Sequence, residues 1–281
     1  MQQLCMGIVG AGQMGSGLAL AAARVPDVSV RLWETSTKQT EKCKRFLDSW
    51  ILKESKKKPL PADLRDRIEL VKDLESLKAC SLVVECITEQ LDLKQSLLQR
   101  LGQALAPDAV LATNTSSLSI TQLASAFARP SHFLGLHFFN PVPVMQLVEV
   151  VPALQTDSNT LEIGLAFVRR IDKTPVIVQD RPCFLVNRVL IVLINEAVHA
   201  LAEGVGSSED IDVTFQLGMS HPMGPLRLAD FVGLDVCLAT LKSLDSGLGD
   251  CKYRPSPLLQ QHVDAGWLGR KSGRGFYSYA T

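Results

Sequence analysis

A histidine and a glutamate twelve residues apart form the pair in this sequence best suited to move a proton. His137 ends an apolar run, and Glu149 lies on the next apolar run beyond a proline-containing loop. Histidine ordinarily titrates near neutral pH, which suits a general base, whereas a carboxylate on an apolar strand needs a partner. A bond from Glu149 to one ring nitrogen would fix the tautomer and stabilise an imidazolium. We therefore predict that His137 is a base oriented by Glu149.

A second group of residues that indicates a function is a glycine-rich turn, which follows the first apolar strand and begins a helix. Its residues are Gly10, Ala11, Gly12, Gln13, Met14 and Gly15. Gly10 would permit the tight turn, Gly12 would let the backbone approach a pyrophosphate, and Gly15 would let the helix pack closely on the sheet. The N–H groups and positive dipole end of the helix would then face the phosphates. This pattern predicts a dinucleotide site.

An acidic residue indicates which dinucleotide is bound. Glu34 ends the next apolar strand, 19 residues after Gly15. Its carboxylate can accept hydrogen bonds from the ribose hydroxyls and would repel a 2′-phosphate. We therefore predict NAD as the cofactor, in preference to NADP.

Metal chemistry is not indicated by the histidines and cysteines. The five histidines lack H-E-x-x-H spacing, and none of the seven cysteines belongs to a C-x-x-C pair. Several cysteines lie inside apolar runs, which is typical of reduced thiols in a reducing compartment. No targeting segment is visible at the start. We predict no metal and a cytoplasmic location, with a mature mitochondrial chain as the open alternative.

Two kinds of element must position these residues. Up to about residue 178, short β-branched runs alternate with helical patterns, which predicts βαβ units. The predicted strands are 6–9, 28–33, 68–71, 82–86, 110–113, 133–137, 148–150 and 176–178. The predicted helices between them are 14–24, 39–57, 91–105, 120–126 and 161–171. We expect an α/β fold whose domain 1–180 is Rossmann-like, with a doubly wound, mainly parallel sheet that binds NAD.

The remainder of the chain, 181–281, is predicted to be an all-helical domain for substrate binding and dimerisation. Its predicted helices are 184–203, 208–217, 225–243 and 257–265. The first is apolar on nearly every side, more than a small domain can bury, which favours a homodimer. It contains too many polar groups to span a membrane.

The charge balance narrows the class of partner. With 29 Lys+Arg against 29 Asp+Glu, the 281-residue chain has no net charge, which argues against a nucleic-acid binder. A small-molecule substrate fits better, and neither nucleic acid nor a membrane is expected as a partner.

Seven motifs distributed over nearly the whole chain resemble the L-3-hydroxyacyl-CoA dehydrogenase family. They are NTSSL at 114–118, GLHFFNPVPVM at 135–145, LVEVV at 147–151, FLVNR at 184–188, PMGP at 222–225, FVGLD at 231–235 and KSGRGFY at 271–277. The resemblance implies NAD-dependent oxidation of (3S)-3-hydroxyacyl-CoA to 3-oxoacyl-CoA and the reverse, in fatty acid metabolism. It implies the same His137–Glu149 dyad and a homodimer. The length resembles that of short, stand-alone members, so we expect a short-chain substrate such as 3-hydroxybutyryl-CoA.

The resemblance also implies roles for individual residues. Ser116 and Asn187 match positions that contact the substrate's 3-oxygen or thioester region and the nicotinamide side of the pocket. Positions near the cofactor are matched by Glu89, Lys94, Asn114 and Lys271. Lys57, within a run of three lysines, matches a CoA-contacting lysine.

Plainer alternatives stay open for several of these residues. Ser116 could cap a helix, and Asn187 could be a polar group at a helix N-terminus. Glu89 and Lys94 could form a solvated pair, and the three lysines a solvated face.

Two other functions are also compatible with parts of the pattern. One is a sugar-acid dehydrogenase of the lambda-crystallin type, acting on L-gulonate. The other is a non-catalytic, NAD-binding structural or sensor protein.

Overall fold

The chain divides into two compact units, with the boundary between Arg181 and Pro182. The structure is a computed structural model that describes residues 4–57 and 59–279. Each unit has its own hydrophobic core. The two units are therefore described separately.

The first unit contains an eight-stranded sheet. Its strands are β1 (Leu4–Val9), β2 (Val28–Trp33), β3 (Ile68–Val71), β4 (Leu82–Glu85), β5 (Val110–Thr113), β6 (Phe133–Phe138), β7 (Leu147–Pro152) and β8 (Thr174–Ile177). Its helices are α1 (Gln13–Ala23), α2 (Thr37–Ser55), α3 (Leu91–Ala104), α4 (Ile120–Ala124) and α5 (Ser158–Arg170). A 3₁₀ segment, Leu74–Ala79, joins β3 to β4.

The strand order is β3-β2-β1-β4-β5-β6-β7-β8. Strands β1 to β6 are parallel, whereas β7 runs antiparallel to β6 and β8 runs parallel to β7. The first six strands have the Rossmann order, and the order reverses between β1 and β4, where ligands bind beyond the carboxyl ends of the strands. The predicted fold class, with a Rossmann-like, mainly parallel sheet, is confirmed.

Burial on both faces explains why β1 and α1 form where they do. Met6, Ile8 and Val9 on β1 are fully buried, as expected for a parallel strand covered by helices on both sides. Helix α1 is lined by small residues, and every position from Gly15 to Ala23 is buried. Small side chains allow this helix to lie close to the sheet, which brings its N-terminus to the end of β1.

The second unit is helical. Its helices are α6 (Val186–Ala202), α7 (Ser208–Met219), α8 (Pro225–Val232), α9 (Leu234–Leu248) and α10 (Pro257–Asp264). The prediction of one helix over 225–243 is wrong, because Gly233 separates α8 from α9 with a φ of 106°. This backbone conformation suits glycine and interrupts the helical hydrogen bonds. Helix α9 continues to Leu248, where Gly249 ends it in the left-handed region.

A buried carboxylate attaches the final segment of the chain to α8. Asp230 accepts hydrogen bonds from the backbone N–H groups of Phe276 and Tyr277, both at 3.0 Å. A Cβ on Gly275 would lie 1.9 Å from an oxygen of Asp230, so only glycine fits there. The glycine of this terminal motif therefore serves the packing of the second unit.

Among the residues that the structure describes, no helix is both long enough and apolar enough to cross a membrane.

Candidate active site

A histidine and a glutamate face each other across two antiparallel strands. His137 on β6 is paired in register with Glu149 on β7, so the two side chains project from the same face. The ring Nδ1 lies 2.7 Å from the Glu149 Oε2. Both residues are buried, with exposures of 6% and 1%. The hairpin thus brings the imidazole and the carboxylate into contact, as the sequence predicted.

The tautomer of His137 follows from this contact. An ionised carboxylate only accepts hydrogen bonds, so Nδ1 carries the hydrogen that points to Glu149. In the neutral ring the lone pair then belongs to Nε2. Phe139 lies alongside, with its ring centre 4.6 Å from that of His137. This arrangement provides an imidazole that can accept one proton at a defined atom.

The loop after β5 is attached to the histidine strand. Asn114 accepts a hydrogen bond of 2.9 Å at its Oδ1 from the backbone N–H of Phe138, the neighbour of His137. Ser116 follows two residues later and is half-buried. The loop that carries Ser116 is therefore attached through Asn114 to the strand that bears His137.

Glu89 organises this serine-containing loop. Its Oε1 accepts hydrogen bonds from the Ser116 N–H at 2.8 Å, from the Ser117 N–H and hydroxyl at 3.1 Å, and from the Thr115 hydroxyl. Its other oxygen lies 3.6 Å from the Lys94 ammonium. Burial would raise the pKa of Glu89, but the Lys94 charge and these donors outweigh it and hold the pKa below its ordinary value.

A buried ion pair lies behind Glu89. Lys94 on α3 contacts both oxygens of Glu85 at 2.7 and 2.9 Å. Glu85 also accepts from the Thr113 hydroxyl at 2.7 Å and from the Ile87 N–H at 2.6 Å. Glu85 and Lys94 are 0% and 1% exposed. The alternative of a solvated pair is therefore wrong for Lys94, whose ammonium is enclosed.

Sequence reasoning missed Glu85. The available signal was a carboxylate that ends a fully buried strand, LVVE, followed nine residues later by a lysine on a helix. A buried carboxylate requires a donor or a cation, so this pattern could have predicted the pair with Lys94.

The glycine turn fits a dinucleotide. Gly10 has a φ of 100°, and a Cβ on Gly15 would lie 1.9 Å from the carbonyl oxygen of Gly10. A Cβ on Gly12 would meet no described residue within 4 Å. The turn thus needs glycine for its own backbone at two positions, whereas the space in front of Gly12 is open to a ligand.

The helix start also fits a phosphate. Within residues 4–57 and 59–279, no side chain caps α1 at Gly12, and its first turn contains no acidic residue. The N–H groups and dipole at such an N-terminus favour an anion. Gln13, which is exposed, donates to Asn140 at 3.1 Å, whereas Met14 is half-buried.

Glu34 lies next to the glycine turn. Its two oxygens accept from the Ala11 N–H at 3.1 Å and the Ser36 N–H at 2.8 Å. The side chain is only half-buried. A carboxylate is therefore held beside the turn, at the end of β2, where the ribose of a dinucleotide is recognised in this fold.

Three further candidates lie away from this cluster or in the second unit. Lys57 follows α2; its side chain is 64% exposed and its ammonium lies 3.6 Å from Glu54. Lys58, in the same lysine run, lies outside the described residues. Asn187 lies in the first turn of α6 and is half-buried. Lys271 lies in a 3₁₀ turn of the second unit, where its ammonium contacts Asp235 at 2.7 Å.

Together, the Rossmann sheet, the open glycine turn and the oriented imidazole define an NAD-dependent oxidoreductase. Comparison with known proteins identifies the family. A family described as "3-hydroxyacyl-CoA dehydrogenase, NAD binding domain" matches residues 5–181, and "3-hydroxyacyl-CoA dehydrogenase, C-terminal domain" matches residues 184–279. The chain belongs to the 3-hydroxyacyl-CoA dehydrogenase family, which confirms the resemblance found in its motifs.

Individual relatives agree. A probable 3-hydroxybutyryl-CoA dehydrogenase of Deinococcus radiodurans is 46% identical, covering 97% of this chain and 99% of that protein. A 3-hydroxybutyryl-CoA dehydrogenase of Bradyrhizobium diazoefficiens is 44% identical, covering 98% and 94%. The crystal structure of (S)-3-hydroxybutyryl-CoA dehydrogenase PaaH1 from Ralstonia eutropha has a TM-score of 0.96 at 42% identity and covers 99% of each chain.

Proposed function

We propose that this chain oxidises short (3S)-3-hydroxyacyl-CoA esters, such as 3-hydroxybutyryl-CoA, to 3-oxoacyl-CoA with NAD, and catalyses the reverse reduction. The observation that carries the proposal is the 2.7 Å contact between His137 Nδ1 and Glu149 in an NAD-binding fold. The names of the relatives support the substrate class.

His137 performs the proton step in this proposal. Its Nε2 takes the proton of the substrate's 3-hydroxyl, and Glu149 stabilises the resulting imidazolium through Nδ1–H. NAD, when bound, supplies the acceptor for the hydride that leaves the same substrate carbon. In the reverse direction the imidazolium returns the proton to the 3-oxygen.

The serine loop provides the second contact with the reacting oxygen. The Ser116 hydroxyl can donate to the 3-oxygen, on which charge grows in the transition state. Glu89 holds the backbone of Ser116 at 2.8 Å and so orients that hydroxyl. Lys94, buried against Glu85, acts on the site through Glu89 at 3.6 Å. We therefore treat Glu85, Glu89 and Lys94 as positioning residues.

The glycine turn and the strand ends hold the cofactor. The residues that would contact NAD, directly or through a neighbour, are Gly10, Ala11, Gly12, Gln13, Met14, Gly15, Glu34, Glu89, Lys94, Asn114 and Lys271. The open space before Gly12 receives the pyrophosphate, and Glu34 binds the ribose. Asn187 is proposed as a substrate contact from the family resemblance. Lys57 offers an exposed charge to the CoA phosphates.

We also propose that the protein is a homodimer that associates through its second unit. Large apolar side chains are exposed there, including Val205 at 75%, Leu217 at 82% and Met219 at 64%. A largely apolar groove of about 620 Å³ lies between α6 and α7. Exposed apolar patches of this kind mark interaction surfaces. Sedimentation at micromolar concentration tests this proposal, and a monomeric mass would contradict it.

A cytoplasmic location is part of the same proposal. All seven cysteines are free thiols, which supports a reducing compartment. Fractionation of cells that express the chain with its natural start would test the location; recovery from an oxidising compartment would contradict it.

The decisive experiment is an assay of the purified protein with NADH and acetoacetyl-CoA. We expect coupled consumption of both, with a strong preference over NADPH, and a decline in kcat/KM as the acyl chain of the substrate is lengthened. Parallel assays with NAD and L-gulonate test the sugar-acid alternative. A protein that oxidises L-gulonate but leaves acetoacetyl-CoA untouched would overturn the proposal, as would one that binds NADH but reduces neither.

A further inference from the structure

Two cysteines of the first unit lie in contact at the amino ends of β1 and β4, away from the strand ends that carry the glycine turn. The Sγ atoms of Cys5 and Cys80 are 3.4 Å apart, although the residues are 75 positions apart in the chain. Cys5 is the second residue of β1, and Cys80 precedes β4 by two residues. The glycine turn and Glu85 instead lie at the carboxyl ends of the same two strands.

The backbone keeps the two thiols together. The Ser81 N–H donates to the Cys5 carbonyl at 3.2 Å, which anchors the chain next to Cys80 against β1. Cys80 is 1% exposed, whereas Cys5 is half-buried. One thiol can therefore be reached from solvent, and the other is held behind it. The remaining buried cysteines have other neighbours: Cys43, for example, contacts the Ser16 hydroxyl at 3.1 Å.

The surroundings favour the thiolate at Cys5. The hydrogen bond from Cys80 lowers the pKa of Cys5, and the Arg31 guanidinium on β2 lowers it further, against the opposing effects of burial and of Glu69. The same contact and burial raise the pKa of Cys80. The half-buried Cys5 thiol is therefore the nucleophile, and the buried Cys80 thiol is the group that resolves the mixed disulfide.

We propose that Cys5 and Cys80 form a dithiol modification site that exchanges with a low-molecular-weight disulfide to give an intramolecular disulfide. The Cys5 thiolate attacks one sulfur of glutathione disulfide, that S–S bond breaks, and one glutathione thiolate leaves. Cys80 then attacks the Cys5 sulfur, its proton passes to the departing second thiolate, and the protein disulfide forms. Two electrons move from the protein to glutathione disulfide, which becomes one glutathione thiol and one thiolate; that thiolate takes up the proton that Cys5 released on ionisation.

The link would join β1 to the segment that enters β4. Because it closes a long chain segment, it should restrict the unfolded state and raise the midpoint of thermal unfolding by about 5–10 °C. The link lies at the opposite ends of the strands from the glycine turn and Glu85. We therefore expect the oxidised protein to turn over within about twofold of the reduced protein.

The test treats reduced, full-length protein with glutathione disulfide, quenches it with a thiol-alkylating reagent in denaturant, and maps peptides by mass spectrometry. Wild type should yield one crosslinked peptide pair containing Cys5 and Cys80. Cys80→Ser should instead accumulate one glutathione on Cys5, and Cys5→Ser should leave Cys80 alkylated. Cys251→Ser, which removes an exposed thiol of the second unit, is the matched control and should crosslink like wild type.

Two results would overturn the proposal. One is complete alkylation of Cys5 and Cys80 in wild type under conditions in which Cys251 has become glutathionylated. The other is accumulation of glutathione on Cys80 in Cys5→Ser, because the buried thiol would then be the reactive one. If Cys80→Ser fails to fold, the wild-type map and Cys5→Ser still decide between these outcomes.

Discussion

Two buried carboxylate pairs lie on the same sheet but are built differently. Glu149 faces His137 across antiparallel strands, with a contact to a ring whose charge can change. Glu85 ends β4 and faces the Lys94 ammonium, and it accepts two further hydrogen bonds from its neighbours. The first pair contains an imidazole, the kind of side chain best suited to take and return a proton. The second pair joins α3 to the end of β4 and has a structural role.

This difference predicts where substitution affects chemistry and where it affects stability. Removing Lys94 or Glu85 leaves the other buried group without its close ionic partner, which is costly in a buried position. Replacing His137 by glutamine keeps an N–H group that can donate a hydrogen bond to Glu149. It removes only the ring nitrogen that accepts the proton. The comparison therefore separates turnover from folding, and each variant below tests one side of it.

The largest expected effect is on turnover in His137→Gln. Loss of the general base should lower kcat by about 10²–10⁴-fold, while NAD affinity and the thermal midpoint stay near wild type. His132→Gln, a half-exposed histidine of the same unit, is the matched control and should retain activity. Steady-state kinetics with NADH titrations measure both. Turnover within tenfold of wild type in His137→Gln would contradict the assignment of the base.

The next largest effect is on stability in Glu85→Gln. Lys94 would keep only Glu89 at 3.6 Å, and the loss of its close carboxylate should destabilise the protein by about 3–5 kcal/mol, measured by urea unfolding. The double variant Glu85→Gln/Lys94→Met also removes the buried Lys94 ammonium and should recover much of this stability. Its kcat should be lower than that of wild type, because Glu89 loses the Lys94 cation 3.6 Å away, which helps Glu89 to hold the Ser116 loop. A double variant no more stable than Glu85→Gln alone would contradict the ion-pair explanation.

The same comparison explains how much the sequence could predict. The alternation of apolar runs and the contact between His137 and Glu149 depend on local patterns, and the structure contains both as predicted. The Glu85–Lys94 pair depends on how α3 packs over the end of β4, and its only local signal was a carboxylate at the end of a buried strand with a lysine nine residues later. The break at Gly233 was missed for a related reason: apolar periodicity continues through it, and only the backbone angle interrupts the helix.

A third strand-end carboxylate sharpens the comparison. Glu34 is half-buried and accepts from two backbone N–H groups, so its removal should cost binding more than folding. Glu34→Ala should raise the Kd for NAD by about tenfold, equal to the loss of one charge-assisted hydrogen bond, and should relax discrimination against NADP. Fluorescence titrations with both cofactors measure this. Glu69→Ala, an exposed carboxylate on β3, is the control. An unchanged preference for NAD would contradict the ribose role.

The smallest effect is on the pH dependence of the unfolding free energy, through Glu89. This residue contacts Lys94 of the second pair and holds the Ser116 loop. Because its folded pKa lies below the ordinary value, Glu89 contributes stability that is fully present above the unfolded pKa of about 4.3 and is lost as pH falls through the folded pKa. The difference in unfolding free energy between wild type and Glu89→Gln should therefore be largest near neutral pH and shrink below about pH 4. Urea midpoints of both proteins across this range provide the measurement. A constant difference would mean that the Ser116 loop is held by the shape of Glu89, with no contribution from its charge.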